Sequence, residues 1–228
     1  MFKFITALIA LITAIISYSV TPVKDAPTKE EQHALYVEYI KNTAENALNA
    51  SDWNIQIGKS YIGCFKSDDI GKRFYAFYDI DGNGIDELLT GETEIGKNKD
   101  VSLLNIFSIE NGMVTPQDFM GYFDLDEEAP VIYSNGIVYK PTRGELGAGY
   151  HYYRMENGEL KNLCGFVTES GFRINDTCMM WVNKDGEKTE CEINGFIAKI
   201  FIDSLNSYLG FSKIVEPNWQ PMSKIAQF

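Results

Sequence analysis

Apolar and polar positions along this chain repeat with two different periods, and the change of period marks where helices give way to strands. Tyr36, Ile40, Ala44, Ala47 and Leu48 recur three or four residues apart, which places them on one face of an α-helix. Thr28 and Glu31 stand ahead of them as a capping box that would satisfy two free N–H groups at the helix start. Asn194 opens a second helical segment, with Phe196, Ile197, Ile200, Phe201, Leu205, Tyr208 and Leu209 apolar and Gly210 as its stop. That stripe is broad, so the second helix is expected to be substantially buried. Between the helices the run Phe74-Tyr75-Ala76-Phe77-Tyr78 is nearly all apolar or aromatic and predicts a central strand covered on both faces.

Beyond Gly91 the chain keeps a regular beat. Asn111-Gly112, Asn135-Gly136, Asn157-Gly158 and Asp185-Gly186 each fall between apolar or aromatic runs. Such dipeptides tolerate positive φ and favour the tight turns that join antiparallel strands. The flanks predict strands at Leu103 to Ile109, Val131 to Tyr133, Ile137 to Tyr139, Tyr150 to Met155, Leu160 to Val167 and Met179 to Val182. A short strand is expected at Tyr61 to Phe65, and the tail at Trp219-Gln220-Pro221-Met222 is expected to pack back onto the sheet. The fold class is therefore α+β: an antiparallel β-meander of about eight strands, with an N-terminal and a C-terminal amphipathic helix packed on it. The chain is too short for a complete propeller, whose blades each need four strands.

One stretch breaks the beat with chemistry. Asp79-Ile80-Asp81-Gly82-Asn83-Gly84-Ile85-Asp86-Glu87 carries side-chain oxygens at its positions 1, 3, 5 and 9, with glycines at 4 and 6. A loop curled round an ion turns alternate side chains inward, and calcium takes six to eight oxygens. Asp79, Asp81, Asn83 and Glu87 would supply side-chain oxygens and Ile85 its backbone carbonyl. Gly84 permits the sharp turn, while Asp86 is expected to point away from the ion. An ordinary turn would need one or two such residues, not four oxygens in alternating register. The helix-loop-helix calcium hand fits less well, because its twelfth position should be a bidentate Glu and here is Thr90.

On those residues the stretch resembles the strand-loop-strand calcium loop of integrin-type (FG-GAP) propeller repeats, a D-x-D-G-D-G-x-x-D run followed by apolar residues. Asn83 and Glu87 both replace an Asp of that pattern. With Tyr78 before it and Leu88-Leu89 after it, the loop more narrowly resembles a family of bacterial secreted proteins carrying one copy. The likeness extends over about fifteen residues and is weak elsewhere. It implies calcium binding and an exported location, and no established activity.

Composition narrows the partners. There are 32 Asp+Glu against 20 Lys+Arg in 228 residues, which argues against nucleic acid and against an anionic membrane surface. Residues 1–20 have the layout of a secretory signal peptide: Lys3, then an apolar run from Phe4 to Ile16, then small residues before Pro22. An uncleaved anchor is the alternative. Residues 21–27 read as a linker and 28–228 as a single calcium-binding α+β domain, extracellular or at the cell surface. Cys64, Cys164, Cys178 and Cys191 allow three disulfide pairings, of which Cys178–Cys191 across a hairpin, leaving Cys64 with Cys164, fits best; four reduced, buried thiols are an equal alternative.

Other candidates are weaker. Asp124, Asp126, Glu127 and Glu128 form an acidic knot without the glycine turn, and read as a solvated loop. Arg143-Gly144-Glu145-Leu146-Gly147-Ala148-Gly149 is glycine-rich but precedes a strand, so nucleotide binding is rejected. Tyr150, Tyr152 and Tyr153 surround His151 and offer a weak ligand-binding site for a glycan or protein, although cross-strand packing explains them as well. His33 is expected to be solvated. No nucleophile–base motif is evident, so the chain is not read as an enzyme. A surface-binding module and a carboxylate-dependent hydrolase remain the alternatives to a structural calcium protein.

Overall fold

The structure is a computed structural model that describes residues 22–23, 26–49, 56–57, 60–61, 72–93, 101–117, 130–144, 147–168, 175–184, 187–209 and 213–225. The leader, Cys64, the acidic knot and Asp185-Gly186 lie outside the described residues, as do the side chains of Ala44, Ala47 and Leu48. The elements run α1 (Lys29–Asn49), β1 (Gln56–Ile57), β2 (Ser60–Tyr61), β3 (Arg73–Tyr78), β4 (Glu87–Thr93), β5 (Val101–Glu110) and β6 (Met113–Pro116). They continue with β7 (Val131–Ile132), β8 (Ile137–Gly144), β9 (Gly147–Glu156), β10 (Glu159–Thr168), β11 (Thr177–Lys184), β12 (Glu187–Asn194), α2 (Gly195–Leu209) and β13 (Gln220–Pro221). The chain divides into two compact units, Phe123–Glu156 with Lys161–Val215, and Pro22–Tyr122 with Asn157–Leu160 and Glu216–Phe228. No helix among the described residues is long and apolar enough to cross a membrane.

The architecture is α+β with antiparallel sheets, but the strands are more numerous than the pattern predicted and do not form one meander. In the second unit the sheet order is β13-β3-β4-β5-β6; in the first it is β12-β11-β10-β9-β8-β7. Nor do the two helices share a sheet. α1 sends Tyr36 and Ile40 into a cluster with Leu88, Phe107, Met222 and Ile225. α2 sends Ala198, Phe201, Ile202, Leu205 and Leu209 against Tyr139, Tyr152, Phe166 and Met180. Each sheet has an apolar face to hide, and one helix is enough to cover it.

The capping box forms as expected: Thr28 N–H donates to Glu31 Oε2 at 2.8 Å and Glu31 N–H to Thr28 Oγ1 at 3.3 Å. Asn194 Oδ1 likewise accepts from Ile197 N–H at 2.9 Å. The apolar stripe of α2 is wider than the sheet beneath it, so Phe196 and Ile200 remain exposed while the 198/201/202/205/209 positions are buried. Asn111-Gly112 and Asn157-Gly158 are tight turns with positive φ at both residues, as their sequence asks.

Two expectations are corrected. β3 is not the strand covered on both faces: only Ala76 is fully buried there, and its outer neighbour β13 is two residues long and pairs only with Phe74 and Tyr75. β4 takes that place, with Glu87 to Gly91 all buried between β3 and β5. The Cys178–Cys191 pairing does not form. Cys178 opposes Ile193 and Cys191 opposes Met180, so the two cysteines are offset across the ladder, and Cys164, Cys178 and Cys191 are free thiols.

Candidate metal centre

The aromatic strand β3 and the apolar strand β4 close on the pair Tyr78–Glu87, and the oxygen-rich stretch is the connection between them. Gly82 and Gly84 have φ of 73° and 94°. Those values lie in the left-handed region that a Cβ disfavours, and here they bend the loop back on itself. Short side chains then hold the bend. Asp79 Oδ2 accepts from Gly84 N–H at 2.9 Å, Asp81 Oδ1 from Asn83 N–H at 3.1 Å, and Asn83 Oδ1 from Ile85 N–H at 2.7 Å. Asp79 to its fifth neighbour, Asp81 and Asn83 to their second: the spacing works because an Asp or Asn oxygen reaches the backbone just ahead of it.

That bend brings three carboxylates to one point. Ligand oxygens of Asp79, Asp81 and Glu87 all lie within 4.8 Å of one another. Glu87 is fully buried, Asp81 and Asn83 nearly so. Glu87 Oε2 accepts from Ile80 N–H at 2.8 Å, whereas Glu87 Oε1 and Asp79 Oδ1 are buried with no hydrogen-bond partner. Buried polar atoms are almost always paired, and an unpaired carboxylate oxygen is among the most costly exceptions. Two such atoms beside a third carboxylate fit a bound cation, which would satisfy both at once.

Electrostatics agree with the geometry. Burial pushes the Glu87 carboxyl well above the usual carboxylate range, reinforced by the charges of Asp81, Asp79 and Asp86 and opposed by the Ile80 N–H. Burial also raises Asp81, opposed by N–H donors from Gly158, Asn83 and Asn157. Without a cation the cluster resists carrying all of its negative charge.

Of the five residues the spacing singles out, the structure gathers Asp79, Asp81 and Glu87. It buries Asn83 beside them, its Nδ2 donating to Asp81 Oδ2 at 3.2 Å. Asn83 Oδ1 is engaged by Ile85 N–H but keeps a second lone pair. Asp86 points away, as expected, and its carboxylate meets Lys29 and His33 instead. His33 is accordingly not simply solvated; its ring stacks on Phe77 with centroids 3.9 Å apart.

Two participants were not singled out by the spacing. Gly158 N–H donates to Asp81 Oδ2 at 3.2 Å across 77 positions of sequence, and nothing local signals that. Gln32 is fully buried and binds the loop backbone. A sign of it was present: Gln32 precedes Tyr36 and Ile40 at steps of four, a polar residue on the apolar face of α1.

The three tyrosines do not make one platform. Strand alternation puts Tyr150 and Tyr152 on the face toward α2, in contact with Tyr139, and Tyr153 on the other face with His151. Tyr152 is only 1% exposed, its hydroxyl donates to Asn206 Oδ1 at 3.1 Å, and burial raises its pKa far above the ordinary value. Burial, aided by the Lys140 charge, lowers His151 to about 4, so its ring is neutral at physiological pH.

No known protein family and no curated protein matches this chain. A solved structure described as "Structure of a Xanthomonas Type IV Secretion System related protein" is similar at 13% identity and a TM-score of 0.34, over 50% of this chain and 56% of that one.

Proposed function

We propose that residues 79–87 bind one calcium ion, and that the ion is structural: it fixes the corner between β3 and β4 in an exported, non-enzymatic protein. The observation that carries the reading is the pair of orphaned buried oxygens, Asp79 Oδ1 and Glu87 Oε1, on two of three residues that each bring a carboxylate oxygen within 4.8 Å of the others. An all-oxygen donor set with no thiolate or imidazole suits a hard cation. Calcium is favoured over magnesium because a loop offering mixed side-chain and backbone oxygens suits a coordination number of six to eight, while magnesium demands a near-ideal octahedron. Asp79, Asp81, Asn83 and Glu87 would hold the ion, with the Ile85 carbonyl completing the loop's contribution.

The ion supplies two positive charges where three carboxylates crowd together, removing a repulsion that otherwise opens the corner. Extracellular calcium modules bind with dissociation constants on the order of 0.1–1 mM, which suits an exported protein. The test is thermal unfolding with calcium and with chelator, in the native chain and in Asp81→Ala. Calcium raises the melting temperature of the native chain and leaves the variant unchanged. Superimposable native curves under the two conditions would refute the proposal.

A further inference from the structure

Asp86 is the residue just before the buried Glu87, and all four of its polar groups are taken by one element. Its N–H donates to Gln32 Oε1 at 2.8 Å, its carbonyl accepts from Tyr36 Oη at 2.7 Å, and its two carboxylate oxygens meet Lys29 Nζ at 2.6 Å and His33 Nε2 at 2.8 Å. All four partners lie in the first two turns of α1. Gln32 grips the same limb a second time, its Nε2 donating to the Gly84 carbonyl at 3.2 Å and to the Pro27 carbonyl at 2.6 Å. The loop segment between Asn83 and Glu87 is thereby held by side chains fifty or more positions earlier in sequence.

The grip matters because it adds a second docking contact to the apolar one that Tyr36, Ile40, Val37 and Tyr39 make with the sheet. Among its described side chains only Tyr36 and Ile40 are buried apolar groups. Isolated helices of this length are marginal in water and depend on tertiary contacts. A helix whose first turns dock on a loop is sensitive to whether that loop keeps its shape.

We infer that Gln32 is a positioning residue of the cation site, and that ion occupancy and docking of α1 onto the loop stabilise each other. The inference rests on calcium binding to residues 79–87 as proposed above, and adds that the ion governs a helix, not only a strand corner. Linkage makes the effect reciprocal: whatever α1 adds to ion affinity, the ion adds to α1 docking.

The experiment uses the full chain in two arms. In the first, hydrogen–deuterium exchange of residues 29–40 is compared in calcium and in chelator, with calcium binding followed by calorimetry on the same sample. In the second, calorimetry is repeated on Gln32→Met, which keeps the volume and removes every hydrogen bond of the amide. The expected result is exchange in α1 slowed on the order of tenfold by calcium, and calcium binding weakened on the order of tenfold in the variant, at the lower end of typical couplings. Calcium binding with unchanged α1 exchange, or with native affinity in Gln32→Met, overturns the inference and leaves the metal site intact. Absence of any calcium heat in the native chain overturns both readings. Should Gln32→Met fail to fold, by circular dichroism, the native exchange arm decides alone.

Discussion

Replacing Glu87 by Gln tests the electrostatic reasoning most directly, because the amide has nearly the carboxylate's shape without its charge. With oxygens within 4.8 Å and an effective dielectric constant of about 20, each pair of ionised carboxylates repels by about 3.5 kcal/mol or more. Glu87 belongs to two of the three pairs, so the gross repulsion it brings is about 7 kcal/mol if all three groups ionise. Burial and the neighbouring carboxylates raise the Glu87 pKa, which favours its neutral form and relieves part of this repulsion without a cation. What the variant recovers is the remainder, ~1–3 kcal/mol on the scale of other buried charges replaced by neutral groups. Gln retains an acceptor for the Ile80 N–H and can turn its amide donors toward Asp79 and Asp81. In chelator at pH 7, Glu87→Gln should therefore melt several degrees above the native chain, at ~2–4 °C per kcal/mol. Calcium at ten times its dissociation constant adds about 1.4 kcal/mol to the native chain and nothing to the variant, so the gap narrows as calcium is added. Differential scanning calorimetry in chelator and across a calcium series reads both effects. A variant less stable than the native chain in chelator would refute the crowding argument, and one with an undiminished calcium response would remove Glu87 from the ligand set.

The pH dependence has a definite sign. Glu87 is held above its unfolded value of about 4.3, so the protonated acid's contribution to stability is complete below that value and is lost as pH rises through the folded pKa. Metal-free melting temperatures should thus fall across that window, and they should fall less with calcium present; a flat metal-free profile contradicts the assignment. Gly84→Ala has open space around the new methyl but φ of 94°, so its penalty is backbone strain alone, ~1–2 kcal/mol, measurable by urea unfolding in chelator; no loss would mean the loop relaxes to another turn. In the other unit, a Cβ on Gly165 would run into the Trp181 ring. Gly165→Ala should cost ~1–3 kcal/mol by overpacking and shift the tryptophan emission, and an unchanged spectrum with native stability would show that the ring moves aside freely. Tyr152→Phe removes the hydrogen bond to Asn206 and should cost about 1 kcal/mol in chemical denaturation; a cost near zero would show the hydroxyl is not engaged.

Local chemistry was legible in the chain itself. Thr28 with Glu31, Asn194, the Asn-Gly turns and the Asp/Asn oxygens of the loop all act on backbone within five residues of themselves. Their roles follow from residue type and spacing, so the sequence alone determined both helix starts, two tight turns and the oxygens that converge on a point. The tertiary structure decided what depends on which surfaces meet. The β12 stretch Glu187–Asn194 is mostly polar and exposed, with only Cys191 and Ile193 turned to the core, and pairing with β11 made all eight residues a strand. The apolar content of β3 exceeds its burial, because how far its faces are covered depends on what packs over the sheet and not on its own residues. Tyr150, Tyr152 and Tyr153 look alike in the sequence, and only their place on two sides of a sheet separates a core hydroxyl from a ring on the opposite face. The same limit applies to the acidic loop: its oxygen-bearing side chains are written in nine consecutive residues, but Gln32 and Gly158 reach it through contacts 50 or more positions away. Contacts closed over such distances are set by how whole faces pack, which no local pattern encodes.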